Sequence, residues 1–376
     1  MRVVVAPQEF KGSLTAREAA DSIAAGVRDA LPDARIDVVP MSDGGAGLVD
    51  AMLEARGGER VAVDAHDPLM RPLRAAFAVL APGDTAAIEM AAASGLVLVR
   101  EDARDPLVAT TYGTGELIRA ALDRGCTQII VGVGGSATVD GGAGAMQALG
   151  ARLLDAAGAD LPPGGGPLAL LDRIDLARCD ARLAGVEILV ACDVTNTLCG
   201  PQGAAVVFGP QKGASPDAVR VLDDALRHLA AVVLRDTGID LLPVAGGGAA
   251  GGLGAGLMVA AGAAVAPGFG IVAEAVGLEA KIAAAVLVVT GEGRLDAQTA
   301  FGKTAAGVAR LARAHGKRVA VVAGSVGSDF DASDGAFDAV ESASPPGMSV
   351  ADAMRDAAPL VRSAAARAVL ALADAG

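Results

Sequence analysis

The feature that most constrains this chain is its alternation of short Val- and Ile-rich runs with longer alanine-rich stretches. Val3–Val5, Ile36–Val39, Ile129–Val133, Ile188–Val190, Val286–Val289 and Val319–Val322 are too short for helices and read as buried strands. Strands alternating with helices predict an α/β fold with mainly parallel sheet. Helix starts are marked as well. Thr15 with Glu18 has the spacing of a capping box, Ser215-Pro216 sets a cap before proline at the first helical position, and Ser349 with Asp352 repeats the first device. The predicted helices run over 15–30, 216–236 and 349–373. With no Trp, one Tyr and seven Phe, small aliphatic side chains must fill the core.

A length of 376 residues suffices for two domains. The net charge of -13 excludes a general attraction to nucleic acid or an anionic membrane surface. Cys126, Cys179, Cys192 and Cys199 form no CxxC unit, which predicts reduced thiols and a cytoplasmic protein. The opening Met1–Pro7 stretch is too short for a signal peptide, and the Ala/Gly-rich stretch 244–273 is interrupted by glycines and Pro267, so no membrane span is expected.

Glycine marks the ends of the predicted strands, at Gly132–Gly135, Gly141–Gly144, Gly246–Gly256 and Gly291–Gly293, where α/β proteins build sites. The stretch Leu161–Pro167, rich in Pro and Gly, is predicted to lack regular structure. The segment Val286–Thr304 runs from an apolar strand through Gly291-Glu292-Gly293-Arg294-Leu295-Asp296 to Gly302-Lys303-Thr304. It is not a P-loop, because Ala297 stands where the first glycine of G-x-x-x-x-G-K-[ST] belongs. What it retains is glycine backbone, a helix start, a cation and a carboxylate, a set suited to phosphate and metal. The alternative is an ordinary strand–loop–helix connection. The chain has only five lysines, and Lys11, Lys212 and Lys303 stand beside glycines. Arginine solvates the rest of the surface, so these compact ammonium groups read as choices for phosphate or carboxylate oxygens, with chance clustering as the plain alternative.

Carboxylates near strand ends form a second set: Asp43, Asp140, Asp193 and Asp296. Phosphoryl transfer needs one such group to orient a hydroxyl and accept its proton, and others to hold Mg²⁺. Any single Asp beside Gly is equally a turn or helix cap, so only the set carries weight. Gly246-x-Gly248-x-x-Gly251 matches the dinucleotide fingerprint formally, but Leu241-Leu242-Pro243-Val244 is a poor strand and no acidic residue takes the ribose role. Close backbone packing explains those glycines equally well, and a nucleotide-dependent oxidoreductase is a distant rival. His66, His228 and His315 lack metal-ligand spacing, and Gly134-Gly135-Ser136-Ala137-Thr138 lacks the last glycine of a hydrolase elbow.

Phe10-Lys11-Gly12-Ser13-Leu14, Asp43-Gly44-Gly45, Glu89–Leu96, Thr111–Leu117, Gly134–Thr138, Ala191–Asn196, Phe208–Ala214 and Gly291-Glu292-Gly293-Arg294-x-Asp296-x-Gln298 occur here in order. In these blocks the chain resembles the bacterial glycerate kinase family of the glycerate 2-kinase type, over essentially its whole length. The resemblance implies phosphorylation of D-glycerate by ATP with Mg²⁺, usually giving 2-phosphoglycerate. It also implies two α/β domains, one flavodoxin- or Rossmann-like, built from 1–64 and 271–376, and one inserted over 65–270, with the active site in the cleft between them. Four positions depart from the family pattern: Gln8-Glu9 replaces Asp-Ser, Ala46 replaces Glu and Val139 replaces Asn. These departures bear on substrate choice. They leave a kinase of a related hydroxy acid, or a non-catalytic glycerate or nucleotide sensor, as alternatives.

The resulting assignments are catalytic roles for Asp193, Lys11 and Asp296, with Asp193 the proton acceptor. Ser13, Asp43, Arg71, Asn196, Arg294 and Gln298 are assigned to substrate. Gly134, Gly135, Ser136, Thr138, Gly291, Gly293 and Lys303 are assigned to nucleotide phosphates, and Asp43 and Asp296 to metal. The expected partners are small molecules, with a homodimer left open.

Overall fold

The structure, a computed structural model, describes residues 1–296, 304–331 and 335–374. Its strands are β1 Arg2–Val5, β2 Arg35–Val38, β3 Gly58–His66, β4 Pro72–Leu80, β5 Thr85–Glu89, β6 Gln128–Gly132, β7 Arg152–Leu154, β8 Arg173–Asp175, β9 Glu187–Ala191, β10 Ala264–Ala266, β11 Leu287–Leu295, β12 Arg318–Val326 and β13 Ala339–Ser342. The chain divides into two compact units, one of Met1–Asp43, Asp50–Ala55 and Phe269–Gly376, the other of Gly44–Val49 and Arg56–Gly268.

In the first unit, β2-β1-β11-β12-β13 form an all-parallel sheet. By order of appearance within the unit this is 2-1-3-4-5, the flavodoxin-like order, whose direction reverses between β1 and β11. Val3–Val5, Val288–Val289 and Val319–Val322 are fully buried, as expected of strands covered on both faces. The helix Ala16–Ala30 opens on the predicted capping box of Thr15 and Glu18. The predicted helix over 349–373 is instead two, Val350–Arg355 and Ala357–Asp374, separated where Asp356 leaves helical backbone values. Strand β11 also runs further than its apolar part. Its ladder with β12 continues to Leu295 opposite Val326, because β12 supplies partners for Gly291, Glu292 and Arg294.

In the second unit the sheet order is β10-β9-β6-β5-β4-β3. β5, β6, β9 and β10 are parallel, whereas β3 and β4 pair antiparallel with each other and β4 with β5. Mainly parallel sheet was expected, and these two strands are its antiparallel part. The exceptions, β3 and β4, are joined by the short Asp67–Arg71 turn, a connection that an antiparallel pair can use and a parallel pair cannot. Phe77, Met90, Ile118, Ile129 and Val131 fill one core. The small antiparallel pair β7–β8 and the helix Pro216–Thr237 close a second around Leu222, Leu226 and Leu229. That helix starts on Ser215, whose hydroxyl accepts from Ala218 N, with Pro216 at its first position. The stretch predicted to be irregular ends in a 3₁₀ turn, Gly166–Leu170. All four cysteines are free thiols, and no helix among the described residues is long and apolar enough to cross a membrane.

Candidate active site

At the carboxyl edge of the first unit, β1 leads into Pro7–Ser13. Gln8 N donates to Gly291 O (3.0 Å), which ties this segment to β11 at the reversal point of the sheet. The Gln8 Oε1 atom is buried with no hydrogen-bond partner among the described residues. Gly12 takes the left-handed conformation (φ +79°), and the Ser13 hydroxyl donates to Phe10 O (2.9 Å). Lys11 is exposed beside this turn. Gly291 and Gly293 lie within β11 and flank Glu292, whose carboxylate is buried. Arg294 is exposed, with Nε 3.8 Å from Asp296 Oδ2. Asp43, in the same unit, is half-buried. A cavity of about 240 Å³ opens here, lined by Phe10, Lys11, Ser13, Gly293, Met348 and Met354 among others. Gln298 and Lys303 lie outside the described residues.

In the second unit, strand register brings three family blocks to one edge. Glu89 of β5 pairs with Gly132 of β6, and Gly132 with Ala191 of β9. The Gly134–Thr138 segment and Asp193 therefore leave neighbouring parallel strands two residues past paired positions. Gly44 packs across these ends: it is left-handed (φ +88°), and a Cβ there would lie 2.5 Å from Ala191 O. No side chain fits there, which accounts for the first glycine after Asp43. Asp193 is half-buried. Asn196 Nδ2 donates to Gln202 O (2.9 Å). Arg71 is oriented by Asp67, which accepts from Arg71 Nε (2.5 Å) and Arg71 N (2.9 Å), while Arg71 Nη2 donates to Leu98 O (3.0 Å). Its Nη1 has no hydrogen-bond partner among the described residues.

The segment after β6 is held from several sides. Ala137 N donates to Ser94 O (2.9 Å), and Leu96 N to Gly135 O (2.8 Å). Thr138 is fully buried, and its hydroxyl donates to Ala250 O (3.3 Å). Asp140 is also fully buried. It accepts from Thr111 N and Oγ1 (2.8 Å each), Thr110 Oγ1 (3.3 Å), Gly142 N (3.1 Å) and Gly144 N (3.2 Å). Burial pushes its carboxyl pKa up, and the donors from Thr111, Gly144 and Gly142 push it back. With five donors converging on its two oxygens, the carboxylate form satisfies this geometry, and its work is to organise the loop. Of the formal dinucleotide fingerprint, Gly251 packs on the same segment, whereas Gly246 and Gly248 pack against Val194 O and Thr197 O. Ala250, Gly251 and Gly252 all have positive φ, and a Cβ on Gly251 would lie 2.0 Å from Thr138 O. Val139, one of the departures noted above, is buried in the apolar core.

Lys212, outside the assigned set, is the buried cation of this region. Only 2% of it is exposed, and its Nζ donates to Ser136 Oγ and Thr138 O at 2.7 Å each. Burial pulls its pKa down to about 7, against the attraction of Asp140. The scarcity of lysine was the signal that singled it out. Buried Glu292 carried a weaker one, a carboxylate set directly after an apolar run.

The glycerate kinase family model matches residues 3–373. The chain is 48% identical over 332 residues to a glycerate kinase of Bacillus subtilis (strain 168), covering 88% of this chain and 87% of that protein. It is 49% identical over 329 residues to a glycerate 2-kinase of Escherichia coli (strain K12), covering 88% and 86%. A crystal structure from Salmonella typhimurium LT2 described as a glycerate kinase 2 superposes with a TM-score of 0.86 at 47% identity, over 100% of this chain and 99% of that one. With a family match from end to end and the family's blocks at the carboxyl ends of the strands, the chain belongs to the glycerate kinase family.

Proposed function

We propose that this protein transfers the γ-phosphoryl group of ATP to the 2-hydroxyl of D-glycerate, giving 2-phosphoglycerate and ADP, in the cytoplasm. The observation that carries the reading is the placement of Asp193 beside the Gly134–Thr138 segment, at the ends of neighbouring parallel strands. A carboxylate next to glycine-rich backbone suits a hydroxyl that must lose its proton while its oxygen attacks phosphorus. In this reading Asp193 accepts that proton and Asn196 orients the substrate. Lys11, Ser13, Arg71, Arg294 and Gln298 serve the glycerate carboxylate and hydroxyls. Gly134, Gly135, Ser136, Thr138, Gly291, Gly293 and Lys303 serve the phosphates.

Mg²⁺ carried by ATP would supply charge neutralisation at the transferred phosphoryl group. The donors fit it: Asp43 and Asp296 offer hard carboxylate oxygens, and nucleotide-borne Mg²⁺ takes only one or two of these besides phosphate and water. The test is ADP release from MgATP with D-glycerate, with L-glycerate and related hydroxy acids in parallel and the product identified by NMR. Turnover to 2-phosphoglycerate supports the proposal. Binding of both substrates without turnover would favour a sensor, and turnover of another hydroxy acid alone would move the substrate assignment to Gln8 and Glu9.

A further inference from the structure

Lys212 is a cation that the proposed chemistry does not use, placed where a buried charge is costly. Among the described residues no carboxylate oxygen lies within 4.0 Å of its Nζ, so it is not neutralised by a direct ion pair. Its two hydrogen bonds go to Ser136 Oγ and Thr138 O, either side of Ala137, and so clip the ends of one turn of the loop together.

The bond to Ser136 has a further consequence. In its protonated form the amine can only donate, so the serine oxygen must then accept, and the serine O–H must point elsewhere. Ser136 is 7% exposed, and among the described residues no acceptor is found for its proton. A nearly buried hydroxyl held as a donor, backed by a lysine amine with no direct ion pair among the described residues, is matched by an incoming anionic oxygen.

We propose that Lys212 is a positioning residue that fixes the Ser136 hydroxyl as a hydrogen-bond donor to an anionic oxygen of a substrate, a phosphate or carboxylate oxygen. The inference rests on the proposed assignment of Gly134–Thr138 to a bound anionic group. Lysine suits the position better than arginine, since a compact ammonium can meet a hydroxyl and a carbonyl at the end of a fully enclosed stem. The turn Pro210–Gly213 delivers it, with Gly213 left-handed (φ +94°) against Arg104 O.

The test compares Ser136→Ala, Lys212→Met, Lys212→Gln and the Ser136→Ala/Lys212→Met double variant. Each is measured for thermal midpoint and for kcat and KM with MgATP and D-glycerate. A mediated role predicts that Lys212→Met lowers kcat/KM about 10-fold or more, mainly through the KM of one substrate. Lys212→Gln, keeping an N–H donor, should recover part of that loss. The double variant should be no worse than the poorer single one, because both remove the same interaction. Wild-type kinetics in Ser136→Ala would overturn the loop assignment itself. A damaged Ser136→Ala beside a folded Lys212→Met within twofold of wild type would overturn the role of Lys212 alone. Fully additive losses, or failure of both Lys212 variants to fold, would also overturn it, since the lysine would then be structural.

Discussion

Lys212 Nζ and Ser136 Oγ, 76 residues apart in sequence, meet at 2.7 Å inside the second unit. This contact places a titrating amine under a glycine-rich turn, so it links the stability of the loop to pH. The Lys212 pKa is pulled from 10.5 to about 7 in the folded chain. Between those values the unfolded chain binds a proton that the folded chain lacks, so the contribution of this residue to stability rises with pH across that window. Asp140 faces it, with its own pKa pushed up by burial, and its attraction opposes the downward shift of Lys212. The urea midpoint of wild type, relative to Lys212→Met, should therefore increase from pH 6.5 to pH 9. A difference that is flat or falls over this range would show that the amine keeps its proton.

Asp193→Asn should lower kcat by about 100-fold or more, since a positioned base typically contributes that much. The thermal midpoint should stay close to wild type, because the substitution keeps the size of a half-buried side chain. Near-normal kcat would remove Asp193 as the proton acceptor.

Asp67 holds the Arg71 guanidinium and the Arg71 backbone N–H at once. If Arg71 serves the glycerate carboxylate, Asp67→Ala should raise the KM for glycerate several-fold while leaving the KM for ATP near wild type. Equal changes in both would point to general disturbance of the Asp67–Arg71 turn.

Gly251→Ala should destabilise the protein by about 2 kcal/mol or more, as strain at a left-handed position adds to a collision with Thr138 O. Chemical denaturation measures this directly. NADH or NADPH binding by the wild type would revive the dinucleotide reading of these glycines.

Lys11 stands at the turn after β1. Lys11→Arg should lose most activity with an unchanged melting temperature, because a planar guanidinium cannot take the place of a compact ammonium at a tight anion site. Full activity in this variant would make Lys11 an ordinary surface charge.

The sequence by itself determined much of the fold. Val- and Ile-rich runs gave strands buried on both faces, and Thr15, Ser215 and Ser349 each capped a helix where local hydrogen bonding demands one. The candidate blocks were legible too, because glycine and carboxylate at strand ends are local signals. Only the tertiary structure decided the antiparallel pairing of β3 with β4, the break at Asp356, and the extension of β11 through Gly293 along β12. It also decided that the glycines at 246–252 serve close backbone packing, and that Lys212 is buried against Ser136 while Lys11 faces solvent. The physical reason is that pairing, burial and charge compensation depend on which distant segments come together. A lysine beside a glycine reads the same in sequence whether its amine ends in water or under a loop.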